Sequence, residues 1–140
     1  MANSNMGKGS CLCGAIRFTA NTMGKSVGAC HCHMCRKWSS GPLMAVDCGT
    51  DISFEGIDNI SVFDSSQWAE RGFCKICGSH LFYRLKESQQ YFMSVGLFDD
   101  DTDLVFDHQV FIDHKPAFYR FANETQDMTE AEVFAQYSSS

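Results

Sequence analysis

The 140-residue chain holds only two prolines, no excess of positive charge and no long apolar run, and each shortage removes a class of protein. Scarce proline, with 44% hydrophobic and 13% aromatic residues, excludes a proline-rich linker or a disordered polymer and makes a packed core the default. Eleven basic against seventeen acidic residues leave a formal net charge of −6, which opposes attraction to a phosphate backbone and argues against nucleic-acid binding. No uninterrupted apolar stretch approaches the roughly 20 residues that span a bilayer, and MANSNMGKGS has no apolar core of a signal peptide, so no membrane partner and a cytoplasmic location are expected.

Helical periodicity is also scarce. It is confined to MCRKW (34–38) and to TEAEVFAQY (129–137), where Thr129 stands three residues before Glu132 in the pattern of a capping box. The rest consists of short runs rich in β-branched and aromatic residues, separated by Gly, Asp, Asn and Ser. These are 15–20, 26–32, 43–48, 52–56, 79–85, 91–98 and 104–112. In 15–20, Ile16 and Phe18 alternate with Arg17 and Thr19, as on a half-buried strand. A mainly β single domain over residues 1–140, built of short antiparallel sheets with minor helix, is predicted. Only the serine tail from 138 to 140 is low in complexity, and DDDTD (99–103) reads as a solvated loop without the glycine of a calcium loop.

One residue type is abundant. Seven of the eight cysteines fall into three groups: Cys11 and Cys13; Cys30, Cys32 and Cys35; Cys74 and Cys77. A chain this long needs no disulfide staples, and a reducing compartment keeps thiols available to metals. Tetrahedral zinc takes four thiolate or imidazole ligands, and closely spaced pairs on tight turns supply two each. Cys11 and Cys13 therefore pair with Cys74 and Cys77 in a structural zinc site, with Gly14 and Gly78 after each pair suiting turns whose amides point at sulfur. Cys30, Cys32 and Cys35 remain for a second zinc. In an extended segment Cys30 and Cys32 share one face while His31 and His33 take the other. Three thiolates with a vacant position describe a catalytic zinc. A fourth ligand from His33, His80, His108 or His114, which would make the site structural, stays open at this point, as does a single-zinc protein. Three thiolates weaken the Lewis acidity of the metal, so binding a substrate thiol as thiolate is favoured over activating water.

The stretches GSCLCGAIRF (9–18), ACHCHMCRKWSSG (29–41), FDSSQWAERGFCKICGSHLFYR (63–84) and VFIDHKPAFY (110–119) resemble the glutathione-dependent formaldehyde-activating enzyme family, also called the centromere-protein-V domain family. The resemblance runs in order from about residue 9 to residue 119, within a domain core expected over about 9–121. It implies a β-tent-like zinc fold with a structural zinc on Cys11, Cys13, Cys74 and Cys77 and a second zinc on Cys30, Cys32 and Cys35. It also implies a carbon–sulfur lyase whose partner is a small thiol such as glutathione, joined to formaldehyde as S-hydroxymethylglutathione.

Around these motifs, Arg36, Lys37 and Arg71 are candidates to hold a substrate carboxylate. His31 and His33 are candidates to move a proton during addition of the thiol to an aldehyde. Ser65 and Ser66 are expected to cap a turn, Trp38, Trp68 and Phe73 to serve the core, and Cys48 to be a free thiol at a strand end. The rival function is a zinc-stabilised module that binds a protein partner without catalysis.

Overall fold

A computed structural model describes residues 5–138, so the end of the serine tail lies outside it. Eleven strands and two α-helices are present among the described residues, and the fold is mainly β as the strand-sized runs predict. They group into two compact units that alternate along the chain, residues 1–25 with 45–104 and residues 26–44 with 105–140.

In the first unit, β1 (Gly7–Ser10), β2 (Arg17–Ala20) and β5 (Ile52–Glu55) form an antiparallel sheet in the order β1-β2-β5. The alternation in β2 holds: Phe18 and Ala20 are buried and Arg17 is exposed. Phe18 meets Phe98 edge-on at 5.3 Å, a preferred aromatic geometry. A second antiparallel run joins β4 (Leu43–Asp47, through its residues from Ala45), β9 (Tyr91–Ser94), β8 (His80–Leu85), β7 (Ala69–Cys74) and β6 (Ile60–Phe63). Its core includes Val46, Cys48, Ala69, Cys74, Leu81, Phe82 and Met93.

Strand β7 reads AERGFC, with two charges and a glycine, and carries no strand signal of its own. Its charges are absorbed by neighbours. Glu70 takes two N–H groups of Arg84 from β8, and buried Arg71 stacks its guanidinium on the Tyr83 ring at 5.1 Å. Gly72 is required by the Phe82 ring, which occupies the space a Cβ would take. Ser65 donates to Ala69 O and Ser66 accepts from Ala69 N, the turn-capping roles expected of them.

In the second unit, β10 (Val105–Val110) lies between β3 (Ser26–Cys30) and β11 (Gln126–Met128), and both pairings are parallel. Parallel neighbours need a long connection, which two strands as distant in sequence as β3 and β10 have. The short antiparallel sheets anticipated from sequence thus describe the first unit, while the second departs from them. Strand β10 ends where Phe111 turns into the left-handed region, φ 55°, and starts a 3₁₀ turn. Helix α1 (His33–Ser39) follows β3 and stops at Ser40, also left-handed, ahead of Gly41 and Pro42. Helix α2 (Glu130–Ser138) opens with the predicted capping box: Glu132 N donates to Thr129 Oγ1 at 3.2 Å and Thr129 N donates to Glu132 Oε1 at 2.9 Å. Among the described residues no helix is long and apolar enough to cross a membrane.

Candidate metal centres and the adjoining pocket

The first unit brings Cys11, Cys13, Cys74 and Cys77 together, with their sulfurs all within 4.8 Å of one another. Cys11 Sγ and Cys13 Sγ are 3.6 Å apart, and Cys13 Sγ and Cys74 Sγ are 3.8 Å apart. A tetrahedral zinc with Zn–S of about 2.3 Å requires sulfur–sulfur separations of about 3.8 Å, so this donor set fits that ion. The turns do what their sequence implies. Gly14 and Gly78 adopt φ 81° and 80°, and amides aim at sulfur, from Ile16 N to Cys11 Sγ at 3.4 Å and from Cys77 N to Cys74 Sγ at 3.4 Å. The Ser79 hydroxyl and backbone N–H draw the Cys77 thiol down to about 5, ready to ionise. Cys13 stands at about 11: a backbone hydrogen bond from Ala15 favours its thiolate, but desolvation and competition from Cys11, Cys77 and Cys74 outweigh it.

Cys30, Cys32 and Cys35 form a second cluster, again with sulfurs within 4.8 Å, and among the described residues no histidine or carboxylate joins it at that distance. Cys30 ends β3, Cys32 caps α1 by accepting from Cys35 N at 3.3 Å, and Cys35 is buried on the first turn of that helix. Hydrogen bonding to Cys32 and Cys35 comes first in pushing the Cys30 thiol far up, followed by burial and then by repulsion from the charge on those two sulfurs. A divalent cation removes that repulsion, so this donor set also fits a thiophilic metal.

The two flanking histidines leave the cluster for different reasons. His31 is fully buried, its Nδ1 2.7 Å from the Tyr119 hydroxyl and its Nε2 2.7 Å from Gln109 Oε1. Burial holds this imidazole below its usual value despite the Gln109 hydrogen bond, which leaves it neutral. His33 is already the first residue of α1 and exposed. Its ring packs edge-on against His114 at 5.5 Å. Arg36 donates from Nη2 to His33 Nδ1 at 3.0 Å and from Nε to His31 O at 2.9 Å, so the His33 proton sits on Nε2.

A cavity of about 380 Å³ opens on the same helix, lined by His33, Arg36, Lys37, Ser40, Gly41, Phe118 and Tyr119. It has two cationic side chains and no carboxylate in its lining. Burial pushes the Tyr119 phenol up, against the opposing pull of Arg36, so Tyr119 stays protonated near neutrality. Lys115 sits behind the ring, 5.0 Å from its centroid, and donates to Tyr119 O and Pro116 O.

Arg36, Lys37 and His33 are thus together at one pocket, whereas Arg71 is 2% exposed in the first unit, against Tyr83. Cys48 is buried outside both clusters and pushed up to about 12 by its burial, an inert thiol. Trp68, expected in the core, is 47% exposed. Sequence reasoning gave no role to Gln109, Thr125, Asp127 or Tyr119. No local pattern marks them, since 78 and 88 residues separate His31 from Gln109 and Tyr119.

A mainly β chain with a four-sulfur cluster and a separate three-sulfur cluster beside a cationic helix defines a cysteine-rich metal-site class of protein. Residues 6–114 match the family described as glutathione-dependent formaldehyde-activating enzyme, and the chain belongs to that family. A Schizosaccharomyces pombe protein named as an uncharacterized lyase is 40% identical over 127 residues, covering 90% of this chain and 93% of that one. A crystal structure of a Rhodobacter sphaeroides protein has the same fold at 21% identity, with a TM-score of 0.57 over 66% of this chain and 87% of its own.

Proposed function

We propose that this protein is a zinc-dependent carbon–sulfur lyase that makes or breaks the adduct of a small thiol, glutathione or a relative of it, with an aldehyde such as formaldehyde. The observation that carries the reading is the three-sulfur cluster of Cys30, Cys32 and Cys35, which no histidine or carboxylate of the described residues completes, at the start of the helix that also lines the cationic pocket. The family description and the lyase name of the yeast relative agree with it.

Zinc held by these three thiolates would supply an open position that takes the substrate sulfur as thiolate. The protein's own groups supply the rest. Arg36 and Lys37 bind the carboxylate of the thiol, and Arg36 is pre-oriented for this by its bonds to His31 O and His33 Nδ1. His33 carries its proton on Nε2 and is the group assigned to exchange a proton with the aldehyde oxygen. His31, with both ring nitrogens engaged, acts as a support and not as a proton shuttle. In the synthetic direction a carbon–sulfur bond forms, the carbonyl π bond becomes an alkoxide, and the proton released by the thiol ends on that oxygen. The cluster of Cys11, Cys13, Cys74 and Cys77 is assigned a structural zinc, giving two per chain. Arg71 is left out of the substrate contacts because its guanidinium is taken up by the Tyr83 ring.

Zinc-reconstituted protein mixed with glutathione and formaldehyde should equilibrate the adduct faster than the uncatalysed reaction, and Cys32→Ala should lose that acceleration. Fully metallated wild type that gives no acceleration with this or other thiol and aldehyde pairs would overturn the proposal in favour of a non-catalytic binding module.

A further inference from the structure

Among the described residues one further group of metal-ligating side chains gathers outside the two sulfur clusters: Asp113, His114 and Glu130, whose donor atoms lie within 4.8 Å of one another. No local motif marks it, because 16 residues separate His114 from Glu130 and only the fold brings them together. The left-handed turn at Phe111 carries the chain from β10 into the 3₁₀ turn Ile112–His114, which lies against the first residue of α2. Each donor is held in place with a ligating atom to spare. Asp113 Oδ1 accepts from Glu130 N at 3.0 Å, which leaves Oδ2, 4.0 Å from His114 Nε2. Glu130 Oε1 stands 3.1 Å from the same nitrogen. The His114 imidazole is 25% exposed and meets two rings edge-on, Phe111 at 5.6 Å and His33 at 5.5 Å, which fix its orientation. Metal–donor bonds of about 2.1 Å put neighbouring donors about 3.0–3.4 Å apart and donors across the ion up to about 4.2 Å apart. The separations of 3.1 and 4.0 Å around Nε2 fall in that range. Charge points the same way, since two carboxylates brought this close repel and a divalent ion cancels both charges at once.

We propose that Asp113, His114 and Glu130 form a third metal site, for a first-row divalent cation bound by one imidazole nitrogen and two carboxylates, with water completing its shell. Donor type sets it apart from the sulfur clusters: oxygen and imidazole ligands suit Co²⁺, Mn²⁺ or Zn²⁺ and hold no advantage for soft ions. Two of the three donors are 45% exposed, so the ion exchanges readily, and dialysis empties this site while zinc on the thiolates stays. Its role is to fasten α2. The ion bonds the first residue of that helix to the turn that ends β10, and through the His114 ring it steadies His33, which lines the cationic pocket. The site goes beyond the lyase reading and does not depend on it.

The test titrates Co²⁺ into protein whose sulfur sites are saturated with zinc and which has been dialysed free of excess, followed by calorimetry and absorbance. One further equivalent should bind and raise the thermal midpoint, without the thiolate-to-cobalt charge-transfer absorption that exchange into a sulfur cluster would give. Asp113→Asn keeps a carbonyl oxygen to accept from Glu130 N and loses the charge. This variant and Glu130→Gln should each weaken Co²⁺ binding by about tenfold or more, with zinc content and circular dichroism unchanged. Asp101→Asn, in the acidic loop 99–103, should leave Co²⁺ binding as it is. No further equivalent in the wild type, or one that both amide variants retain, an adventitious ion only, would overturn the inference. So would binding that Asp101→Asn abolishes, or the appearance of the sulfur charge-transfer absorption.

Discussion

At the residue scale the proposed function assigns the two cysteine clusters different work. The four sulfurs of Cys11, Cys13, Cys74 and Cys77 bring together a turn near the start of the chain and one in its middle, Cys13 and Cys74 meeting across 61 residues of sequence. A structural zinc on such a set contributes on the order of 10 kcal/mol of folding free energy. Cys11→Ala and Cys77→Ala should therefore unfold the first unit, seen as loss of far-UV and near-UV circular dichroism. Cys32→Ala should keep both signals and lower the zinc content from two per chain to one. Equal unfolding in both kinds of variant would refute the division of labour. The three cysteine groups that build the two clusters were legible because closely spaced thiols are a local sequence signature. His31 was legible only as a residue turned away from Cys30 and Cys32. That it is buried against Gln109 and Tyr119 depends on β10 and on the segment after it, which no window around residue 31 contains.

Elements were legible in proportion to how much their own residues dictate them. The capping box of α2 is a local device, and it forms as written. Thr129→Ala should fray the first turn of α2 and cost about 1 kcal/mol, detectable as faster amide exchange at Glu132 and Val133. By contrast β1, β6, β7 and β11 went unread. Strand β7 holds Glu70 and Arg71, which look like loop residues until Arg84 and Tyr83 arrive on β8 to accept them. Strand β1 reads GKGS, a turn composition made extended by pairing with β2. The end of β5 is a third case. Gly56 is left-handed at φ 78°, and a Cβ there would run into the carbonyl oxygen of Ala15, next to the first cysteine turn. Gly56→Ala should cost more than the roughly 1 kcal/mol of the left-handed conformation alone, because backbone cannot swing aside as a side chain can. Its denaturation midpoint should fall accordingly, whereas Gly41→Ala, open on that side, should lose far less.

For the whole molecule, the mainly β class followed from composition and run length, and the two sulfur-rich sites from spacing. The parallel sheet of the second unit did not, since strand direction is a property of connections and not of any one strand. The division of the sites between units has a measurable outcome. Graded treatment with a chelator should remove metal from Cys30, Cys32 and Cys35 first, with loss of activity and little change in circular dichroism. Removal from the four-cysteine set should follow and coincide with unfolding. A single cooperative loss of both metals with the fold would contradict this order.

The long sequence separation inside the second unit also bears on how the protein is made. At a synthesis rate of roughly 5–20 residues per second, Tyr119 emerges from the ribosome several seconds after His31, which it follows by 88 residues. For that interval Cys30, Cys32 and Cys35 are nascent thiols, Cys30 without the β10 strand that later pairs with it, open to metal and to oxidant alike. Cells starved of zinc during translation should therefore accumulate chains oxidised at these three cysteines, a defect that zinc supplied to the finished protein would come too late to reverse.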